Sequence, residues 1–210
     1  IKEIDALGGI MGWASDLSHL QSKTLNKTKG RAVWALRQQV DKKIYPTIIN
    51  RFINKSTNIA VLEDEVVSFK SHNNHINSAI LKNHGKIKCR SIIVTSGTFL
   101  NGLIHIGNKN YKAGRMGEKP SIGLSESLKE HGFIIGRLKT GTPPRIERNS
   151  VDWSKTLIAK GDKNTPPFSL ITKRPFIPNT EDCFLVNTNE VVHSVINSNI
   201  SLSPMFSGKI

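Results

Sequence analysis

The 210-residue chain carries 30 Lys and Arg against 16 Asp and Glu, a formal net charge of +14, with 37% hydrophobic and 22% charged residues. This excludes a chain too polar to fold, and no apolar run approaches the roughly 18 residues of a membrane span. The positive field favours polyanionic partners, nucleic acid first, although lysines on a solvated surface would give the same sum.

The N-terminal stretch lacks the basic, apolar, small-residue order of a secretory leader. Cys89 and Cys183 are the only cysteines; they match neither a zinc spacing nor a disulfide framework, so a reducing, cytoplasmic setting is expected. The apolar ends at Ile1 and Ile210 lead us to expect an interior piece of a larger protein.

Residues 1–12 read as a short helix giving way to a turn at glycines 8, 9 and 12. From Arg31 to Asn54, the apolar positions Val33, Leu36, Val40, Ile44, Ile48 and Phe52 recur every three or four residues, which predicts an amphipathic helix kinked or broken near Pro46. Ile59–Leu62, Val66–Phe69, Ile76–Leu81 and Lys86–Arg90 form short apolar or alternating runs and predict an antiparallel meander over about 59–90. Ser91–Thr95 is β-branched and apolar, as a strand buried on both faces would be; it ends at Ser96-Gly97, the kind of strand end where open α/β sheets place ligands.

Glycines 97, 102, 107, 114 and 117 make the stretch to Pro120 too rich in breakers for regular structure. Ser121 is placed to cap a helix reaching Glu130, with Gly132 ending it and Phe133–Leu138 following as a strand. Residues 139–146 form a rigid loop with Lys139, Thr140, Thr142, Arg145 and a proline pair. The Pro- and Lys-rich stretch to Pro178 reads as the edge of a second, less regular domain. Phe184–Val186 is predicted as a strand, and Asn189 as the cap of a helix with Val191, Val192, Val195 and Ile196.

The chain has no GxGxxG, Walker loop, HExxH or GxSxG. Its seven histidines show no ligand spacing, so no metal is expected. The loop at Lys139, Thr140, Thr142 and Arg145, and Arg115 among its glycines, could hold a phosphate or carboxylate. Cys183 follows Glu181-Asp182 and is the one candidate nucleophile; Cys89 fits a core strand.

Six stretches, in order, resemble the MnmG/GidA family: Lys2–Gly9, Asn26–Val33 (NKTKGRAV), Thr95–Gly107 (TSGTFLNGLIHIG), Ala113–Ser121 (AGRMGEKPS), Gly136–Ile146 (GRLKTGTPPRI) and Cys183 with Thr188-Asn189-Glu190. The resemblance implies an α/β fragment of a glutathione-reductase-like FAD-binding fold with an antiparallel meander. Residues 1–146 would be the central and carboxyl-side part of the FAD-binding domain, and 147–210 the beginning of an inserted domain. It implies FAD as cofactor, NADH as reductant and methylenetetrahydrofolate as one-carbon donor. The activity implied is modification of the tRNA wobble uridine at C5 with an aminomethyl or carboxymethylaminomethyl group.

The implied partners are tRNA and an MnmE-type GTPase, in a homodimer and a heterotetramer, with no membrane. By position, Gly97, Thr98 and Phe99 resemble a flavin pocket wall, and Arg115, Lys139, Thr140, Gly141 and Arg145 resemble pocket or substrate-facing residues. Cys183 resembles a family cysteine whose thiolate would add to uracil C6. The chain departs from the family's pattern at Arg31, Trp34, His19–Thr24, Lys119 and Gly123. A non-catalytic basic RNA-binding α/β domain and a nonfunctional remnant of the flavoenzyme gene are the alternative readings.

Overall fold

The computed structural model describes residues 1–210 except 108, 116, 142, 209 and 210. In chain order its helices and strands are α1 (Lys2–Ala6), α2 (Met11–Ser18), β1 (His19–Leu25), β2 (Ala35–Val40), α3 (Ile44–Lys55), β3 (Val66–His72), β4 (His75–Leu81), β5 (Gly85–Lys88), β6 (Leu103–Ile106), β7 (Lys109–Lys112), α4 (Leu124–Glu130), β8 (Leu157–Ala159), β9 (Cys183–Leu185) and α5 (Glu190–Asn199). The strands pair antiparallel as β1-β2, β3-β4-β5, β6-β7 and β8-β9. Two compact units result: residues 1–60 with 146–187, and residues 61–145 with 188–210.

The first unit is discontinuous, and polar side chains join its halves. Asp16, on α2 and 3% exposed, accepts N–H bonds from Phe168 and Ser169, both at 2.8 Å. It also accepts from Gln38 Nε2 at 2.7 Å and Thr172 Oγ1 at 2.6 Å. Along β1, Ser22 N donates to Asn179 Oδ1 at 3.0 Å, Thr24 N to Asp162 Oδ2 at 2.8 Å, and Gln21 Nε2 to the Ala159 carbonyl at 3.0 Å. Ala14 and Phe168 supply the apolar part of a core otherwise built of Asp16, Gln21, Ser22, Thr165 and Ser169. Ser22 Oγ and Gln38 Oε1 are buried without a partner among the described residues; the polar groups that are paired define one geometry, because each depends on its neighbour being in place.

The expected 31–54 helix is corrected. Only Ile44–Lys55 is helical, while Ala35–Val40 is a strand paired with β1 from Val40↔His19 to Ala35↔Leu25. Leu36, Gln38 and Val40 are the more buried positions of β2, a period of two, so 36 and 40 satisfied both periodicities and Gln38 marked the true one. Pro46 causes no break because it is the third residue of α3, where a helix N–H has no intrahelical acceptor. Tyr45, Ile48, Ile49 and Ile53 are the helix's half-buried face.

In the second unit β3, β4 and β5 form the expected meander, without a strand at 59–62. Asn73 and Asn74, at φ 49 and 62, make the β3–β4 turn, a left-handed pair suited to a two-residue hairpin. Asp64 fastens the next turn: it accepts from Glu65 N, Asn83 N, Asn83 Nδ2, His84 N and His84 Nδ1 at 2.6–3.3 Å. Helix α4 lies against β3, with Phe69, Leu81 and Leu124 as the buried apolar core and Phe69 N donating to Ser127 Oγ at 3.2 Å.

Gly132 (φ 87) ends α4 as expected: Gly132 N reaches Lys129 O at 2.9 Å and Phe133 N reaches Leu128 O at 3.1 Å, the two bonds of a Schellman motif. The helix's start is corrected, since Gly123 rather than Ser121 precedes its first turn. Asn189 caps α5 as expected, its side chain accepting from Val192 N at 3.0 Å.

Two further strand expectations are overturned. Residues 91–95 and 133–138 form no strand and pair with none among the described residues, with Ile93 88%, Ile134 100% and Leu138 95% exposed. A strand needs a neighbour whose backbone groups pair with its own, and the described residues supply none for either segment. Conversely, the glycine-rich 101–120 stretch contains the β6–β7 hairpin, its glycines lying at the ends and turn. Among the described residues no helix is long and apolar enough to cross a membrane.

Candidate functional site

The base of the β6–β7 hairpin gathers part of the expected site. Gly97 (φ 65) and Thr98 form a turn, and Phe99 follows with its ring partly exposed. The Phe99 carbonyl accepts from Gly102 N at 3.0 Å, the Gly102 carbonyl accepts from Ala113 N at 3.0 Å, and Asn101 N donates to Ser121 O at 2.8 Å. Gly102 must lack a side chain, because a Cβ there would overlap the Ala113 carbonyl oxygen. The chain therefore leaves and returns at one place, carrying Gly97–Phe99 on one limb and Arg115 on the other.

Arg115 stands in a turn closed by Gly114 N to Glu118 O at 3.0 Å and Glu118 N to Arg115 O at 2.8 Å. Its Nε donates to Glu118 Oε2 at 3.2 Å, an exposed ion pair that leaves its other guanidinium N–H groups available.

Lys139 connects to this base only indirectly. Arg137, two residues earlier, directs its guanidinium at the Asn101 carbonyl at 3.4 and 3.5 Å; Lys139 Nζ lies 3.4 Å from Met205 Sδ. Thr140, Gly141 and Arg145 lie in exposed coil and make no hydrogen bonds among the described residues. Thr142 lies outside the described residues.

Asn101 and Arg137 were missed by sequence reasoning. The Asn101-Gly102 dipeptide was the available signal, since Asn before Gly favours left-handed backbone, and Asn101 has φ 47. Its side-chain amide also donates to Glu126 Oε1 at 2.9 Å. That bond is the leading cause holding the Glu126 carboxyl below its ordinary value.

Cys183 belongs to the first unit, where it opens β9 opposite Ala159. Its half-buried thiol donates to Gln39 Oε1 at 3.0 Å. No base or cation hydrogen-bonds to the sulfur among the described residues, and no group of three or more His, Cys, Asp or Glu among them is placed to hold a metal ion.

Comparison with known proteins gives the assignment. The family described as "Glucose inhibited division protein A" matches residues 1–210. The chain is 43% identical over its whole length to the "tRNA uridine 5-carboxymethylaminomethyl modification enzyme MnmG" of Thermodesulfovibrio yellowstonii, covering 34% of that protein. It is 43% identical to the protein of the same name from Protochlamydia amoebophila, covering 33% of it. The form I crystal structure of Aquifex aeolicus GidA superposes with a TM-score of 0.87 at 36% identity, over 97% of this chain and 35% of that one. The form II crystal gives 0.85 at 36% identity, over 95% and 34%. The chain thus spans about a third of the length of these relatives, and the expected mixed α/β fold class is borne out. It belongs to the glucose-inhibited division protein A (GidA/MnmG) family.

Proposed function

We propose that this chain is part of an FAD-dependent enzyme that modifies the wobble uridine of tRNA. The group added at C5 is aminomethyl or carboxymethylaminomethyl, and the enzyme works with an MnmE-type GTPase. The observation that carries the reading is the 43% identity over the whole chain to two relatives whose names give tRNA uridine 5-carboxymethylaminomethyl modification. The charge of +14 agrees with an RNA substrate. NADH as reductant, methylenetetrahydrofolate as one-carbon donor, and a homodimer joined by the GTPase into a heterotetramer complete the proposal.

The hairpin base suits one wall of a flavin site. Gly97 has open space where a side chain would stand, so backbone can come close to a planar ring, while Phe99 offers an apolar face and Arg115 and Arg137 offer donors. Bound FAD would supply the redox chemistry that these side chains lack. The chain's own residues would orient it and exclude water from one side. Cys183 is left out of this wall and without an assigned step: a thiol donating to an amide oxygen is a structural hydrogen bond, and the nucleophile implied by resemblance needs an activating neighbour.

The test expresses the full-length protein in a bacterial strain lacking its own relative. Nucleoside mass spectrometry should show the C5-modified uridine restored, and the purified protein should carry FAD in near-stoichiometric amount. Flavin-loaded protein that leaves the uridine unmodified refutes the activity. Tight tRNA binding with neither flavin nor modification replaces it with the non-catalytic RNA-binding reading.

A further inference from the structure

A cleft of about 440 Å³ opens in the first unit between the β1–β2 loop and residues 162–166, a volume in the range of small-molecule sites. Lys27, Trp34, Asp162, Lys163 and Asn164 line it. The loop is braced from within, since Trp34 Nε1 donates to the Lys27 carbonyl at 3.3 Å and Asn26 Nδ2 to the Val33 carbonyl at 3.3 Å. Even so, Trp34 remains 45% exposed, and the Arg31 guanidinium stands 5.7 Å from the centre of its ring.

Charge in the cleft is unevenly committed. Asp162 Oδ2 takes Lys27 Nζ at 2.7 Å and Thr24 N at 2.8 Å, so its negative charge is balanced where it stands. Lys27 keeps two further N–H donors. Among the described residues, Lys163 and Arg31 make no ion pair.

An indole among cations discriminates between ligand classes. A small inorganic anion would make no use of the exposed ring, and an apolar ligand would desolvate the cations without pairing them. A nucleotide uses both, its base on the aromatic face and its phosphate on the ammonium groups. We infer that this cleft is a subsite for an unpaired stretch of RNA, with a base stacked on Trp34 and the adjoining phosphate held by Lys163 and Lys27. The inference rests on the RNA substrate proposed above and adds a contact on the first unit, made by residues other than those of the hairpin base.

The experiment measures binding of fluorescein-labelled hexauridylate to the full-length protein by anisotropy, across a salt series. Trp34→Ala should weaken binding about ten-fold, within the range for loss of one base–aromatic stack, and Trp34→Phe should recover most of it. Lys163→Ala should lower the slope of log affinity against log salt by about 0.7, the value for one single-strand phosphate contact.

Two results overturn the subsite: a Trp34→Ala affinity within two-fold of the parent in a protein with unchanged near-ultraviolet circular dichroism, or displacement of the oligonucleotide by hexaglutamate at equal charge. Uridine modification is scored separately in the parent protein. Absent modification with the Trp34 effect intact defeats the functional reading alone, and present modification without the Trp34 effect defeats the subsite alone.

Discussion

Replacing Asp16 with Ala removes the acceptor that holds residues 168–172 to α2. Four donors lose their partner: the N–H groups of Phe168 and Ser169, the Gln38 amide and the Thr172 hydroxyl. Gln38 and Thr172 are half-buried and can turn to water. Phe168 and Ser169 are 7% and 2% exposed, so their N–H groups are orphaned, at about 1–3 kcal/mol each. The sum, about 4 kcal/mol, is a large part of the ~5–15 kcal/mol that holds a typical domain together. Hydrogen–deuterium exchange on the full-length protein should show the 165–172 segment losing protection by roughly a thousand-fold, since each ~1.4 kcal/mol is a factor of ten. Unchanged protection in a folded Asp16→Ala protein would refute the assignment of Asp16 as the joint of the first unit.

Three other outcomes can be measured independently. Burial alone would raise the Asp64 carboxyl, but hydrogen bonds from His84 and from the backbone of Glu65, His84 and Asn83 outweigh it and hold it far below its ordinary value of 3.8. Its contribution is therefore complete above the unfolded value and is lost as pH falls toward the folded one. Protection factors at 82–85, taken against the intrinsic exchange rate at each pH, should fall on acidification, and Asp64→Asn should remove that extra acid sensitivity. Gly102→Ala should displace the β6–β7 hairpin and lower the melting temperature well beyond the effect of Gly97→Ala, because the first meets the Ala113 carbonyl and the second meets only an unfavourable positive φ. Cys183→Ser should keep the melting temperature within a few degrees and retain uridine modification, since a hydroxyl can donate to Gln39 as the thiol does; loss of modification with flavin content and fold intact would restore the nucleophile role.

What the sequence made legible was what local chemistry decides. Gly132 ends α4 because a left-handed residue is needed there, and Asn189 caps α5 because its side chain reaches a free N–H. The meander followed from alternation and from turn residues. Where partners decide, the reading failed. Leu36 and Val40 fit a helix stripe and a strand face equally, and only pairing with β1, a strand of polar residues with little alternation, settles the choice. Ile93 and Ile134 have the composition of buried strands, but composition does not supply a neighbouring edge. The hairpin at 103–112 was hidden by glycines that proved to mark its ends and turn.

The site was legible in the same measure. Gly97, Thr98, Phe99 and Arg115 come together because one hairpin closes on itself. Asn101 and Arg137 join them through backbone geometry that residue type does not announce. Cys183 drew notice as a lone thiol among acids, and its partner, Gln39, lies 144 residues away in sequence.

The joint at Asp16 also orders events in time. During synthesis α2 and β1 emerge long before residues 162–179, so a carboxylate destined for burial waits in water while the whole 61–145 stretch is made. That stretch has its meander and α4 complete by then, although the second unit too waits for residues 188–210. The polar seam of the first unit consequently closes only after the chain has passed Asn179, and any pause before that point leaves β1 holding unpaired donors.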